Sequence, residues 1–297
     1  MTRQPDILCI GSVLWDIIGH APRTMRHGAD VPGRISRGPG GVALNIALTL
    51  RRFGMRPALL SAVGRDAAGD ELLALCAARG LDTSHVWRAP DLPTDQYMAI
   101  EDAGGLVAAI ADAHSLEAAQ DRILAPLHDG TLGSVASPHA GPVALDGNLT
   151  TALLAQIAQD PAFSAADLRI APASPGKAER LSPFLQTGRG ILYVNLEEAG
   201  ILCGRSFAAA PDAAQALLDR GAARAIVTNG AATAADARRD GCLTGQPPQV
   251  RITRVTGAGD TFMAAHIAAE TRGDPRAAAL GHALRAAATH ISGKTAT

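Results

Sequence analysis

The stretch "RITRVTGAGDTFMAAHIAAE", residues 251–270, sets three small residues, Gly257, Ala258 and Gly259, directly before a carboxylate, Asp260, and then runs on as a long apolar segment. The pattern is that of an extended segment turning through glycines into a helix. Backbone N–H groups at a helix N-terminus lack intrahelical partners, and the helix dipole adds positive character there, so such a turn suits an anion. Glycine at 257 and 259 lets an anion approach the backbone closely. A carboxylate in the same turn would repel that anion, unless its task is to receive a proton. Phosphoryl transfer uses both features, donors around the equatorial oxygens and a base beside the attacking hydroxyl. A plain N-terminal aspartate with loop glycines has the same spelling.

Outward from this unit the chain alternates between two patterns. "ILCIG" (7–11), "ALLSAVG" (58–64), "PVALD" (142–146), "LRIAP" (168–172), "ILYVN" (191–195) and "RAIVTNG" (224–230) are short apolar runs ending on Gly, Asp, Asn or Pro. Strands buried on both faces of a parallel sheet read this way. Helical patterns fill 41–53, 66–79, 150–159, 196–203 and 211–220. The alternation predicts an α/β fold, a doubly wound, mostly parallel sheet flanked by helices. Two regions break it: 12–40 is polar and glycine-rich, and 95–112 reads as two strands turning at Asp102–Gly105. Together they predict a small β element, either a lid over the strand carboxyl ends or an ordinary surface hairpin. Residues 1–297 are read as one domain carrying these two lid segments.

Composition narrows the function classes. With 47% hydrophobic and 19% charged residues, the chain has the make-up of a globular protein. A net charge of −1 gives no electrostatic footprint for nucleic acid or an anionic membrane, so neither is expected as a partner. Cys9, Cys76, Cys203 and Cys242 form no C-x-x-C pair, and three of them sit in apolar runs as small hydrophobes. The apolar run near the N-terminus is too short for a signal peptide or a membrane span, which points to the cytoplasm.

Three further motifs carry candidate chemistry. "GPGGVALNIALTLRRFG" (38–54) is a second glycine cluster opening an amphipathic helix. Gly40 and Gly41 could bring backbone amides against a substrate, and Asn45, a poor helix-interior residue, sits one turn in. Asp16 follows the first strand at the carboxyl end, where open α/β sheets bind ligands, and a carboxylate there can accept hydrogen bonds from a sugar diol. "NLEE" (195–198) sets Asn195 and Glu198 three apart, which suits a capping box and equally a magnesium ion held through water. Two decoys fall away. "GAGDTF" has Phe262 where a dinucleotide fingerprint needs glycine, and "SGKTAT" (292–297) would need a glycine at Ala288 to be a phosphate-binding loop.

Taken together and in this order, the motifs resemble those of the ribokinase-like, or phosphofructokinase-B type, carbohydrate kinases over nearly the whole chain. "GGVALNIALTLRRFG" is similar to the N-terminal signature, "NLEE" to Asn-x-x-Glu, "VTNG" to the nucleotide-contacting strand end, and "VTGAGDTFMAA" to the C-terminal signature. The resemblance implies ATP as phosphoryl donor, magnesium, and potassium as a candidate activator. It implies Asp260 as catalytic base, an anion hole of Gly257, Ala258 and Gly259 amides, and Asp16, Gly40, Gly41 and Asn45 on the sugar. Asn195 and Glu198 would organise magnesium and phosphates, and Thr228 and Gly230 would line the nucleotide site.

Within the family, "VPGRISRGPGGVALNIA", "YMAIEDAGGLVAAIADAHSLE", "DGNLT" and "RVTGAGD", with Val255 where many sugar kinases carry aspartate, look most like the pseudouridine kinases. That implies phosphorylation of a nucleoside's ribose 5-hydroxyl, with a homodimer as a candidate assembly. Ribose, a fructose-type sugar or a purine nucleoside is the alternative substrate, and a non-catalytic ligand-binding protein the alternative of another class. Trp15 stands before Asp16 where relatives often carry Asn.

Overall fold

The structure, a computed structural model, describes residues 4–28, 30–253 and 256–293. Val255 and most of the 292–297 stretch lie outside the described residues.

The first strand, β1 (Ile7–Ile10), is buried at every position. Leu8 and Ile10 enter one core while Ile7 and Cys9 enter another, which is why its run is apolar without alternation. Next come β2 (Leu14–His20), β3 (Arg34–Gly40), helix α1 (Val42–Arg52) and β4 (Pro57–Leu60). Then follow β5 (Ala62–Gly64), α2 (Ala67–Ala78), β6 (Trp87–Ala89), the hairpin β7 (Gln96–Asp102) and β8 (Gly105–Asp112), and α3 (His114–Ala119). Strand and helix alternate from there through β9 (Pro142–Asp146), α4 (Thr151–Gln159), β10 (Asp167–Ala171) and α5 (Ser182–Thr187). The alternation continues with β11 (Ile191–Asn195), α6 (Leu196–Cys203), α7 (Ala210–Asp219) and β12 (Arg224–Asn229). The chain closes with β13 (Ala232–Arg238), β14 (Gly241–Gly245), α8 (Ala258–Thr271) and α9 (Arg276–Ile291).

Among the described residues, eight strands form the main sheet in the order β14-β13-β12-β11-β10-β9-β1-β4. Pairing is parallel from β4 to β12 and antiparallel at β12–β13–β14, so the expected doubly wound, mostly parallel sheet is what the chain forms. One layer packs Leu116, Leu154, Phe184, Leu202 and Leu217 of α3 to α7 against one sheet face. The other packs Leu44, Leu50, Leu72, Met263, Ile267 and Leu280 of α1, α2, α8 and α9 against the opposite face. Truncating one such fully buried leucine, Leu50→Ala, costs about 2–5 kcal/mol.

One expected strand is two. The run 58–64 divides at Ser61, whose hydroxyl donates to the Gly11 carbonyl at 2.5 Å. Beyond it β5 leaves the main sheet and pairs with β6.

The two regions that broke the sequence alternation join in a second sheet, ordered β3-β2-β7-β8. Its register sets Asp16 beside Tyr97 and opposite Gly38, and sets Ile17 beside Met98. Because side chains alternate along a strand, Asp16 and Ile17 point to opposite faces.

Candidate active site

Helix openings around the carboxyl ends of the parallel strands are built in two ways. Some close on their own side chains. Asp66 accepts from Gly69 N at 2.7 Å to start α2, and Thr150 accepts from Leu153 N at 3.2 Å to start α4. Helices α1 and α8 open instead on glycines, Gly41 and Gly257, with no side-chain cap of their own.

At α1 the first amides are filled from elsewhere in the chain. Val42 N donates to Ser12 Oγ at 2.9 Å, Ala43 N to Asp146 Oδ2 at 3.2 Å, and Leu44 N to the Ser12 carbonyl at 3.3 Å. Asp146, fully buried, also receives Ser12 N at 2.8 Å, Ser12 Oγ at 2.5 Å and Asn148 N at 2.6 Å. Lys177 Nζ reaches Asn148 Oδ1 at 2.5 Å and completes this cluster. Gly41 has φ of +99°, and a Cβ there would press on the Ser12 carbonyl; one on Gly40 would overlap the Asp16 carboxylate. Both glycines therefore make room for neighbouring polar groups, and the amides opening α1 are already spoken for. The filled amides are those of Val42, Ala43 and Leu44, not those of Gly40 and Gly41 that were expected to face a substrate.

At α8 the corresponding turn is left open. Gly257 takes φ of +81°, the left-handed conformation glycine tolerates. The helix begins with Thr261 N donating to the Gly257 carbonyl at 3.0 Å. A Cβ on Gly259 would meet nothing within 4 Å, so this side of the first turn is open, while His290 Nε2 lies 2.9 Å from the Thr256 carbonyl on the other side. Asp260 sits in that turn and accepts from Asn45 Nδ2 at 2.9 Å, across 215 residues of chain. Asn45, expected on the sugar, is thus brought to the expected base.

Electrostatics distinguish Asp260 from an ordinary surface carboxylate. Burial pushes its carboxyl up to about 7; the Asn45 hydrogen bond works against this, and the nearby charges of Asp146, Asp16 and Glu198 add to it. Asp16 is likewise raised to about 6, by burial. Asp16, Asp146 and Glu198 therefore all lie within electrostatic reach of Asp260, although they come from β2, β9 and α6.

Asn195 and Glu198 form the capping box in full. Glu198 N donates to Asn195 Oδ1 at 2.9 Å, and Asn195 N donates to Glu198 Oε2 at 2.8 Å. The carboxyl of Glu198 is buried and pushed up to about 7 by that burial. Asn195, Thr228 and Gly230 line one cavity of about 810 Å³, with Ile201 and Phe207 on its apolar wall and Arg205 stacked 4.7 Å over Phe207. Among the described residues, no group of three or more His, Cys, Asp or Glu gathers as a metal site.

Trp15 lies on the other side of β2 from Asp16. Its indole is buried, donates to the Ala68 carbonyl at 2.9 Å and carries the Arg37 guanidinium 3.4 Å above its ring.

Sequence reasoning singled out Asp16, Asn45, Asn195, Glu198, Thr228 and Asp260, but gave no role to Ser12, Asp146, Asn148 or Lys177. The available signal was positional: Asp146 ends a buried strand as Asn195 does, and "DGN" follows directly from it.

Known proteins share this fold. A family model described as pfkB family carbohydrate kinase matches residues 4–297. The pseudouridine kinase of Escherichia coli is 27% identical over 273 residues, covering 89% of this chain and 83% of that protein. The solved carbohydrate kinase from Agrobacterium tumefaciens is 28% identical, with a TM-score of 0.78 over 96% of this chain and 90% of that one. Arabidopsis thaliana ribokinase, solved with ribose and ATP, superposes with a TM-score of 0.80 at 20% identity, over 99% and 95% of the two chains.

Proposed function

The chain belongs to the pfkB family of carbohydrate kinases, and from that premise we propose that it moves the γ-phosphoryl group of ATP to the ribose 5-hydroxyl of a nucleoside, pseudouridine preferred. One observation carries this reading. The uncapped, open N-terminus of α8 holds a carboxylate, Asp260, whose proton affinity is raised into the range of a working base. A binding protein has no use for a base among anion-holding amides.

In the reaction, the 5-hydroxyl oxygen forms a bond to the γ-phosphorus and the bond from that phosphorus to the β–γ bridging oxygen breaks, releasing ADP. The hydroxyl proton passes to a carboxylate oxygen of Asp260, and Asn45 holds that carboxylate in place. Amides of Gly257, Ala258 and Gly259 hold the charge on the transferring group's oxygens. Asp16 accepts hydrogen bonds from the ribose hydroxyls, with Gly40 and Gly41 keeping the surrounding space clear. ATP lies along the cavity beside Thr228 and Gly230.

Magnesium fits the donors present. One amide and one buried carboxylate, Asn195 and Glu198, suit an ion that keeps its waters and travels with ATP rather than one caged by protein. Its chemistry is neutralisation of phosphate charge, and potassium is to be tested beside it as an activator.

The sheet β3-β2-β7-β8 acts as the lid. Its outward face carries Ile35, Met98 and Ile110 at 81%, 48% and 68% exposure, together with Ile17 and Ile100. An apolar face of this kind marks an association surface, and a second copy of the chain is its occupant. Ile110→Lys converts the dimer to monomer in sedimentation velocity; an unchanged sedimentation coefficient would place the contact elsewhere or nowhere.

The activity is tested by ADP release with ATP and magnesium on pseudouridine, uridine, adenosine, ribose and fructose, with Asp260→Asn as blank. Turnover on pseudouridine above the rest is the expected result. Turnover on fructose or ribose alone would keep the kinase and discard the nucleoside.

A further inference from the structure

The inward face of the second sheet has a composition that the reaction above does not use. Register places Tyr97 of β7 beside Asp16 of β2, with Gly38 and Ala111 completing that row across the four strands. The next row on the same face holds Ile18, Ala99, Ala109 and Ser36. Apart from Tyr97 and Ile18, these are small side chains.

Tyr97 is also distinctive by elimination. The chain has only two tyrosines, two tryptophans and five phenylalanines. Trp15 points to the outer face of the same sheet, while Tyr193 and Phe262 meet each other edge to face in the core. Phe163 and Phe184 are fully buried in the opposite layer. Among the described residues, Tyr97 is the aromatic side chain on the face that carries Asp16. It is half-buried, so one surface is left to a ligand. Its phenol lies within the field of the Asp16 carboxylate; burial, then Asp16 and Glu101, all raise its proton affinity. Tyr97 and Asp16 are thus neighbours in the sheet, and Asp16 is in turn within electrostatic reach of Asp260.

We propose that Tyr97 is the platform on which the substrate's base stacks. The inference rests on the nucleoside reading and deepens it. With the 5-hydroxyl at Asp260 and the ribose diol at Asp16, the substituent on the far side of the sugar falls against Tyr97. The neighbours of the ring within its own sheet are mostly small, so they do not compete with a planar group for its face. A stack is tolerant of base identity, because every base presents a π-face. Tyr97 thus separates nucleosides from bare sugars, while polar groups at the base edge choose among nucleosides.

The test measures Kd for pseudouridine and for ribose by calorimetry on the wild-type protein and on Tyr97→Phe and Tyr97→Leu. Leucine keeps apolar bulk at this half-exposed position and removes the ring, and a melting curve confirms that each variant is folded. The readout is the ratio of ribose Kd to pseudouridine Kd. Leucine lowers the ratio by about 5–150-fold, the worth of one base–aromatic stack, and phenylalanine retains it. A ratio unmoved by leucine overturns the platform while leaving the nucleoside reading intact. So does a loss in phenylalanine as large as in leucine, since the hydroxyl and not the ring would then be read. A wild-type protein that binds ribose as tightly as pseudouridine overturns both.

Discussion

The openings of α1 and α8 lie in one cleft and start from the same glycine device, yet they are finished in opposite ways. At α1 the protein supplies its own anion: Asp146 takes four donors, from Ser12 twice, Ala43 and Asn148, and the amides of Val42, Ala43 and Leu44 are filled from within the chain. At α8 no side chain caps the turn, Gly259 faces open space, and the carboxylate present has its proton affinity raised. A helix N-terminus attracts negative charge in either case. What separates a structural from a catalytic opening is whether the protein has already satisfied that attraction. On the proposed reading Asp146 holds the fold and Asp260 does the chemistry, although both are carboxylates at the same end of the sheet.

The largest effect expected from breaking this comparison is at Asp260. Asp260→Asn lowers kcat by about 10²–10⁴-fold, the worth of a positioned general base, with a small change in nucleoside KM. Steady-state kinetics on the purified variant decide it, and an equal loss in KM and kcat would reduce Asp260 to a helix-capping residue. Asp146→Ala acts on stability instead. It strands four donors, two of them on Ser12, and lowers unfolding free energy by about 3 kcal/mol or more in urea titration. A variant as stable as the parent would dissolve the distinction between the two openings.

Asp16 lies between these two in kind and below them in size. It is raised to about 6 by burial and stands against Gly40, so it belongs to a prepared site rather than to the surface. Asp16→Ala removes charge-assisted hydrogen bonds worth about 1.5–3 kcal/mol, which is roughly a 10–150-fold rise in nucleoside KM. The rate at saturation changes less. Were kcat to fall with KM unmoved, Asp16 would belong with the base.

The main sheet was legible because its strands are buried on both faces, and a run such as "ILCIG" has no polar position to confuse the pattern. The hairpin at Asp102–Gly105 was legible for a different reason: its turn residues announce it. Two things were hidden. "LRIAP" and "RAIVTNG" read as apolar strands, yet Arg169 and Arg224 are buried charges. They are tolerated because Arg224 pairs with Asp236 at 2.7 Å and Glu270 at 2.8 Å, and Arg169 with Asp167 and Glu270, partners scattered over β10, β13 and α8. The contact between Asn45 and Asp260 was hidden in the same way. The place of Asn45 on one helix suggested a ligand, while its partner Asp260 is contributed by another helix far along the chain. Local spacing reports strands, turns and caps; it does not report which distant carboxylate a side chain will meet.

The smallest effect is the pH dependence, and it tests the same contrast without changing a catalytic residue. Asp260 accepts a proton only when ionised, and burial places its carboxyl at about 7. The rate kcat/KM therefore climbs about tenfold per pH unit up to about pH 7 and levels above it. The residual rate of Asp260→Asn lacks that step. The stability consequence has the opposite slope. The folded-state value lies above the ordinary aspartate value of about 3.9, so the fold binds this proton more tightly than the unfolded chain does. That contribution to stability is complete below about pH 3.9 and is lost as pH rises through about 7. In the wild type the base must ionise in a site that resists it, whereas Asp260→Asn never does. The variant is accordingly the more stable protein at pH 8, and its advantage shrinks on acidification. A wild-type rate flat between about pH 5.5 and 8, with equal melting temperatures at pH 8, would return Asp260 to the company of Asp146, as one more carboxylate that finishes a helix.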